Sequence, residues 1–226
     1  MIACTASSAQ VASRLDELRT RIERAGGDPA TVSIVAVTKG FDASAIHRAR
    51  EAGLTEVGES YAPELVAKAG SAPPGTRWHF VGRLQRNKVR RVAPLVTLWQ
   101  SVDRPELGAE IARHAPGASV LVQVNISGEA QKGGCPLEGA TALVHDLTAD
   151  GLDVQGVMGI AALGDPDEAR RAFRRLRALA DDLALPVRSM GMTADLAEAV
   201  AEGSTMVRVG TALFGPRVAD PNRASN

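Results

Sequence analysis

Short apolar runs alternate along the chain with longer segments in which apolar residues recur about every three or four positions. Short runs bounded by turn residues are typical of buried strands, whereas the second spacing is typical of amphipathic helices. Eight segments have the strand pattern: Ser33–Thr38, Glu56–Gly58, Trp78–Gly82, Leu98–Val102, Val120–Ile126, Val154–Ile160, Val187–Met190 and Met206–Gly210. Several are rich in Val and Ile without alternating polarity, which predicts strands covered on both faces.

Helical patterns separate these strands. A lead-in helix is predicted near Ala9–Ala25, where Gly26 and Gly27 end it. Seven further helices are predicted at Ala43–Ala52, Pro63–Ala69, Leu84–Val92, Arg104–His114, Leu137–Ala149, Pro166–Leu183 and Ala194–Glu202. Strict βα alternation indicates a parallel sheet with right-handed crossovers. Eight such strands in about 190 residues favour an α/β fold of the closed (β/α)8 TIM barrel type, with an open doubly wound sheet as the alternative.

The domain organisation is predicted to be simple. A length of 226 residues suits a single α/β barrel, and no stretch has the composition of a linker or of a low-complexity tract. We expect one domain over residues 1–226, with a barrel core at about 30–217. Residues 218–226 are polar and contain proline, so we expect a frayed tail there.

Composition excludes several classes of partner. The chain has 26 basic and 26 acidic residues, which gives no net attraction to nucleic acid or to a membrane surface. The first residues lack a secretory signal pattern, and no segment approaches the roughly 18 apolar residues of a membrane span. Cys4 and Cys135 do not make a disulfide framework, so we expect reduced thiols in a cytoplasmic protein. No metal site is expected.

Lys39 is the first candidate for chemistry, because it follows the first predicted strand directly. Only four of the 26 basic residues are lysines, so a lysine at this position suggests a need for an amine that can lose its proton. Partial burial lowers the pKa of an amine, and a deprotonated amine attacks aldehydes. Lys39 is therefore a candidate for Schiff-base formation.

A candidate anion site lies at the ends of the last two strands. Met192 and Thr193 follow strand seven and precede a predicted helix, and Gly210 and Thr211 follow strand eight. Phosphate sites in this fold are commonly built from these two loops, where backbone amides and hydroxyls converge. The alternative is that the glycines only form turns and that Thr193 only caps the helix.

Arg208 adds a charge to the same region. It lies between Val207 and Val209 on the last strand, so its side chain points either into the barrel or toward the helices. A buried guanidinium needs a partner, which is either a structural ion pair or a ligand. An amine, an anion site and an arginine together point to a planar ligand with an aldehyde and a phosphate. Pyridoxal 5′-phosphate (PLP) has this shape.

Other polar residues have simpler interpretations. We predict helix caps at Asp42 or Ser44, at Asp103 and at Asp165, because each lies at the N-terminus of a predicted helix. His79 lies in the middle of a predicted strand, where it either faces the barrel mouth or is a hydrogen-bonded core residue.

The sequence resembles the pyridoxal phosphate homeostasis proteins, which are single-domain relatives of the alanine racemase barrel. The resemblance rests on motifs at Ala36–Lys39 (AVTK), Val57–Ser60 (VGES), Trp78–Lys88 (WHFVGRLQRNK), Ser101–Asp103 (SVD), Val122–Ser127 (VQVNIS), Ser189–Thr205 (SMGMTADLAEAVAEGST) and Met206–Arg217 (MVRVGTALFGPR). The motifs run in the family order across nearly the whole chain, and the block from Trp78 is a specific signature.

The resemblance implies a fold-type III PLP-binding barrel with a cofactor site made of Lys39, Met192, Thr193, Arg208, Gly210 and Thr211. In this reading Lys39 forms the Schiff base, Thr193 and the amides around Gly210 hold the phosphate, and Arg208 faces the pyridine nitrogen. An arginine there keeps the nitrogen unprotonated, which weakens the cofactor as an electron sink.

The chain also departs from the family pattern. Gly40 and Phe41 follow the lysine, where relatives commonly carry Thr and often a Pro shortly beyond, and Ser60 replaces an Asn. The stretch Met158–Ala162 lacks a nearby Pro. Ser60 has no amide donor, so we expect cofactor affinity or loop order to differ while the chemistry of Lys39 is retained.

The resemblance implies a role in PLP homeostasis as a carrier, reservoir or regulator without clear turnover, in a monomeric protein whose cofactor acceptors are amino acids or apo-PLP enzymes. A small racemase is the alternative, although racemases on this barrel use a second domain to supply an opposing base. The only tyrosine, Tyr61, is expected to be structural. A Schiff-base aldolase is a third class, although such enzymes typically carry the lysine on a later strand.

Overall fold

The computed structural model describes residues 1–162 and 164–216, so Arg217 and the predicted tail lie outside the described residues. Within them, eight parallel strands pair in sequential order and close into a barrel, which confirms the (β/α)8 TIM barrel over the open sheet. The strands are β1 Ser33–Val37, β2 Glu56–Glu59, β3 Arg77–Phe80, β4 Val96–Val102, β5 Ser119–Val124, β6 Asp153–Gly159, β7 Val187–Ser189 and β8 Met206–Val209.

Helices surround the barrel. In the described residues they are α1 Ser8–Arg24, α2 Ala43–Glu51, α3 Ala62–Ala69, α4 Arg86–Val92, α5 Pro105–His114, α6 Ala140–Ala149, α7 Pro166–Asp182, α8 Leu196–Ala201 and α9 Thr211–Phe214, with 3-10 turns at Ala130–Lys132 and Leu137–Gly139. Apolar side chains between these helices and the strands form most of the core. None of the described helices is both long and apolar enough to cross a bilayer.

The lead-in helix α1 covers the seam where β8 meets β1. Ser7 and Gln10 begin this helix with a capping box, in which each side chain accepts the backbone N–H of the other residue. Its apolar face, which includes Leu15 and Ile22, packs with residues of β1, α8, β8 and α9 in one cluster. The seam is therefore buried under a helix that precedes the barrel in sequence.

The barrel interior is partly apolar and partly polar. A small cluster fills its apolar part with Val35, Leu98, Leu121, Met158 and Met206. The register pairs Arg208 of β8 with Val35 of β1, which resolves the two orientations open for Arg208 in favour of the interior. His79 is 1% exposed and hydrogen-bonded, so its interpretation as a core histidine is confirmed.

Several local predictions need correction. Asp42 and Asp165 cap α2 and α7 as predicted, but the cap predicted at Asp103 is wrong, because α5 begins at Pro105 without a side-chain cap. Asp103 forms an ion pair with Arg104 instead. The helix predicted from Ala194 begins at Leu196, so Thr193 is not its cap residue.

The two cysteines are both buried and free. Cys4 lies ahead of α1, and Cys135 forms an isolated bridge with Val124 of β5. Burial raises the pKa of the Cys135 thiol to about 11, so this sulfur is protonated near neutral pH.

Candidate functional site

A cavity of about 420 Å³ opens at the C-terminal ends of the strands. It is lined by Val37, Lys39, Phe41, Ser60, Val81, Ile160, Met192, Thr193, Ala194, Arg208, Gly210 and Thr211. The structure therefore brings together all six residues expected from the sequence to form a cofactor site. They come from the ends of β1, β7 and β8, which meet because the barrel closes.

The lining has the chemistry of a small-molecule site. Val37, Phe41, Val81 and Ile160 provide apolar walls, which suit a flat ring. The polar groups are the Lys39 amine, the Arg208 guanidinium and the three hydroxyl side chains Ser60, Thr193 and Thr211. The cavity thus favours a planar ligand that carries negative charge and can react with an amine.

Buried charges hold the backbone on both sides of Lys39. Lys68 of α3 donates a hydrogen bond to the Thr38 carbonyl at 2.9 Å, and Glu64 of the same helix accepts the Gly40 N–H at 2.7 Å. Gly40 has φ +82°, a left-handed conformation that glycine adopts without strain. The peptide groups before and after Lys39 are therefore fixed by α3.

Glu59 completes this cluster at the end of β2. Its Oε1 atom lies 2.6 Å from the Lys68 ammonium and accepts the Thr38 hydroxyl at 2.5 Å. The side chains of Glu59 and Lys68 are both buried. Burial raises the pKa of Glu59 against the opposing effect of Lys68. Its Oε2 atom has no hydrogen-bond partner among the described residues, so the cluster is held by one oxygen of the carboxyl group.

The sequence analysis missed Lys68 and Glu59 as supports of the site. Lys68 follows Glu64 by four residues in a helical pattern, which resembles an ordinary exposed pair on a helix surface. Only the packing of α3 against β2 shows that this pair is buried.

Arg208 is fixed inside the barrel by three short contacts. Nη1 donates to the Ser189 carbonyl at 2.6 Å and to the Ser189 hydroxyl at 2.7 Å, and Nη2 donates to the Gly159 carbonyl at 2.9 Å. Burial lowers the pKa of Arg208 to about 10, with the charge of Asp195 opposing the shift. The guanidinium remains charged at neutral pH and borders the cavity.

The loop after β7, which is the candidate anion loop, is shaped by two contacts. The Met192 N–H donates a hydrogen bond to Asp195 Oδ1 at 2.6 Å, so this amide is already used within the protein. Met192 nevertheless lines the cavity. Arg21 of α1 donates to the Thr193 carbonyl at 2.8 Å. The second contact connects the lead-in helix directly to the candidate phosphate loop.

Gly191 begins this loop and is the residue whose replacement should deform it most. It has φ +92°, and a Cβ atom built there would lie 2.5 Å from the Ala199 Cβ. We expect Gly191→Ala to lower the free energy of unfolding by about 3 kcal/mol, from backbone strain and from the clash. Urea denaturation measures this loss.

The control for this variant is Gly53→Ala. Gly53 has φ +90° but no atom within 4 Å of the added Cβ, so it isolates the backbone term of about 1 kcal/mol. An equal loss in the two variants would show that the packing of Gly191 against α8 does not matter.

The structure is a closed parallel barrel whose cavity is bordered by a lysine at the end of β1 and by the loops after β7 and β8. The family model for the alanine racemase N-terminal domain matches residues 7–218. The chain belongs to this family and, within it, to the pyridoxal phosphate homeostasis proteins.

Individual relatives agree in length and sequence. The pyridoxal phosphate homeostasis protein of Pseudomonas aeruginosa is 40% identical over 220 residues, which covers 92% of this chain and 94% of that protein. The protein of the same name from Aquifex aeolicus is 36% identical, with 90% and 95% covered. The structure of PipY from Synechococcus elongatus with PLP bound is 32% identical, covers 91% of this chain and 100% of PipY, and has a TM-score of 0.82.

Proposed function

We propose that the protein binds PLP through a Schiff base between the Lys39 amine and the cofactor aldehyde, and that it acts in cytoplasmic PLP homeostasis as a carrier, reservoir or regulator. The observation that carries the proposal is one cavity bordered by an amine, an arginine and an anion loop. Condensation of the amine with the aldehyde forms an imine and releases one water, and a second amine can reverse it.

The cavity residues fit the parts of the cofactor. Thr193 and Thr211 offer hydroxyls to a phosphate, and the backbone around Gly210 offers amides without a side chain in the way. The guanidinium of Arg208 has only donors, so it favours a ring nitrogen with a free lone pair. Bound PLP would supply an electrophilic aldehyde and a conjugated ring. Arg208 would weaken that ring as an electron sink by keeping its nitrogen unprotonated.

The lining favours a carrier over a racemase. A racemase needs a second acid–base group on the face opposite the lysine. Among the described residues, those lining the cavity include no Tyr, His, Cys, Asp or Glu. Tyr61 is 58% exposed and borders a neighbouring cavity with Arg83 and Lys88. A small racemase is therefore the second candidate, and the aldolase is the third.

The relatives support the same proposal. PipY has been solved with PLP bound, and the relatives from Pseudomonas aeruginosa and Aquifex aeolicus carry the name of PLP homeostasis proteins. We further propose that free amino acids or a lysine of an apo-PLP enzyme displace Lys39 and take up the cofactor. The protein acts in this scheme as a monomer.

The first test is an absorbance spectrum of the purified protein with and without added PLP, followed by borohydride reduction and peptide mapping. We expect a near-visible band and a reduced adduct on Lys39. Assays with D- and L-amino acids then separate a carrier, which shows no interconversion, from a racemase. A protein that shows neither a band nor an adduct after loading would contradict the proposal and favour the aldolase.

A further inference from the structure

A line of hydrogen bonds crosses the barrel interior from the cofactor cavity to the opposite end of the strands. It begins at Arg208, whose Nη1 lies 2.7 Å from the Ser189 hydroxyl. The Ser189 hydroxyl lies 2.7 Å from Gln100 Oε1, and Gln100 Nε2 lies 2.6 Å from His79 Nδ1. His79 Nε2 lies 2.5 Å from Glu56 Oε2. Four side chains of this line, those of Arg208, Ser189, Gln100 and His79, are buried.

The line has one consistent direction. Arg208 can only donate, so the Ser189 oxygen accepts from it and the Ser189 proton goes to Gln100 Oε1. The amide nitrogen of Gln100 then donates to His79 Nδ1, which leaves the His79 proton on Nε2 for Glu56. Each group donates toward Glu56, an arrangement in which successive hydrogen bonds strengthen one another.

The reverse orientation of Gln100 is poorer. Its amide nitrogen would then face Ser189, which already accepts from Arg208, and the Ser189 proton would have no acceptor in this line. The Gln100 oxygen would also require a proton on His79 Nδ1. Gln100 Nε2 further lies 3.2 Å from the sulfur of Met206, a weak acceptor, which agrees with the first orientation.

The far end of the line is anchored by charge. Glu56 is paired with Arg77 at 2.8 Å and is partly exposed at the N-terminal end of β2. Burial acts to raise the pKa of Glu56, but the hydrogen bonds from His79 and Arg77 and the charge of Arg77 hold it below its usual value. Glu56 therefore stays ionised at neutral pH and keeps accepting from His79.

Arg208 depends on this line because its other partners are main-chain carbonyls. Among the described residues, the Ser189 hydroxyl is the one side chain that accepts a hydrogen bond from the guanidinium. The orientation of that hydroxyl is set by Gln100, which is set in turn by His79. A cation buried to this degree is costly unless its contacts are maintained.

We infer that Ser189, Gln100 and His79 are positioning residues that hold the Arg208 guanidinium at the ring end of the cofactor site, and that they act through this directed line from Glu56. The inference rests on the proposed function for its effect on PLP. The line itself is a property of the protein without cofactor, so the two can be tested separately.

The first test uses the cofactor-free protein labelled with ¹⁵N-histidine. NMR chemical shifts distinguish the two neutral tautomers and the imidazolium form, and His79→Gln identifies the signal. We expect a neutral ring with its proton on Nε2. A proton on Nδ1 would overturn the inference whether or not the protein takes up PLP.

The second test interrupts the line beside the cavity. Ser189→Ala and Gln100→Leu should each weaken PLP binding about tenfold and shift the absorbance band of the bound cofactor. The first variant removes a charge-assisted contact of the guanidinium, and the second removes the acceptor that orients the Ser189 hydroxyl. Affinity for inorganic phosphate, measured by competition, should stay unchanged, because the anion loop is separate from the line.

Ser101→Ala is the matched control. Ser101 is also buried and its side chain donates a hydrogen bond to the Gly82 carbonyl at 2.6 Å, but among the described residues that side chain forms no hydrogen bond with the line. It should lose stability without a change in the band. Gln100→Glu keeps the acceptor for Ser189, so it should retain near wild-type PLP affinity, while its second oxygen requires a proton on His79 Nδ1. The inference would be overturned if Ser189→Ala and Gln100→Leu changed the absorbance band and the PLP affinity no more than Ser101→Ala does. Ser189 and Gln100 would then contribute only to packing.

Discussion

We expect Lys39→Ala to abolish the proposed covalent attachment of PLP, while part of the noncovalent affinity remains. The loss is complete because, among the described residues, Lys39 is the one primary amine that borders the cavity. Phosphate contacts to the loops after β7 and β8 do not need the lysine, so some binding persists. The measurement is intact-protein mass spectrometry after PLP loading and borohydride reduction.

The control for this variant is Lys88→Ala. Lys88 lies on α4 and borders the neighbouring cavity, so its removal tests whether another lysine near the mouth captures the aldehyde. Lys88→Ala should retain the full adduct on Lys39. An adduct at full stoichiometry in Lys39→Ala would refute the assignment of the covalent site.

Among the substitutions considered, Lys68→Met should lower the free energy of unfolding most, by about 3–5 kcal/mol, because it leaves the buried carboxyl of Glu59 without its cation. The Thr38 carbonyl loses its donor at the same time, so borohydride-trapped adduct on Lys39 should also form more slowly. Chemical denaturation gives the first effect, and the time course of the near-visible band gives the second.

The pH dependence separates this charge effect from simple loss of packing. Without Lys68, the folded-state pKa of Glu59 rises further above the usual carboxyl value of 4.5, so the native state holds a proton that the unfolded chain releases. The loss of stability in Lys68→Met, relative to the wild type, should be small below about pH 4.5 and should grow as the pH rises through the folded-state pKa of Glu59. A deficit that is constant with pH would indicate packing alone.

A double variant completes this experiment. Lys68→Met with Glu59→Gln removes both charges and should recover much of the stability. Lys88→Met is the matched single change on a helix where the lysine has no ion pair among the described residues, and it should alter stability by less than about 0.5 kcal/mol.

The order of the elements was predictable because each strand is a short apolar run and each longer helix has a clear period. The four-residue helix α9 was not predicted, since it is too short to show a period. The cap at Asp103 was wrong because the sequence does not reveal that Arg104 competes for this carboxylate. The domain limits remain predictions, because the tail lies outside the described residues.

The site was partly predictable for a different reason. Parallel strands in a barrel place all their C-terminal ends on one rim, so Lys39 and Thr193 could be grouped without knowing any contact. Their supports could not be grouped in this way. Gln100 and Lys68 act through side chains that cross from one element to another, and no spacing along the chain encodes such a contact.

The seam between β1 and β8 has a consequence for how the protein is made. Lys39 belongs to the first strand, whereas Arg208 and Thr211 follow after seven strands and their helices have been synthesised. During synthesis on the ribosome, the nascent chain therefore contains Lys39 long before it contains the candidate phosphate-binding loops after β7 and β8. Under the proposed function, PLP that contacts both Lys39 and Thr211 would connect the first and last strands, and it would oppose the separation of β1 from β8.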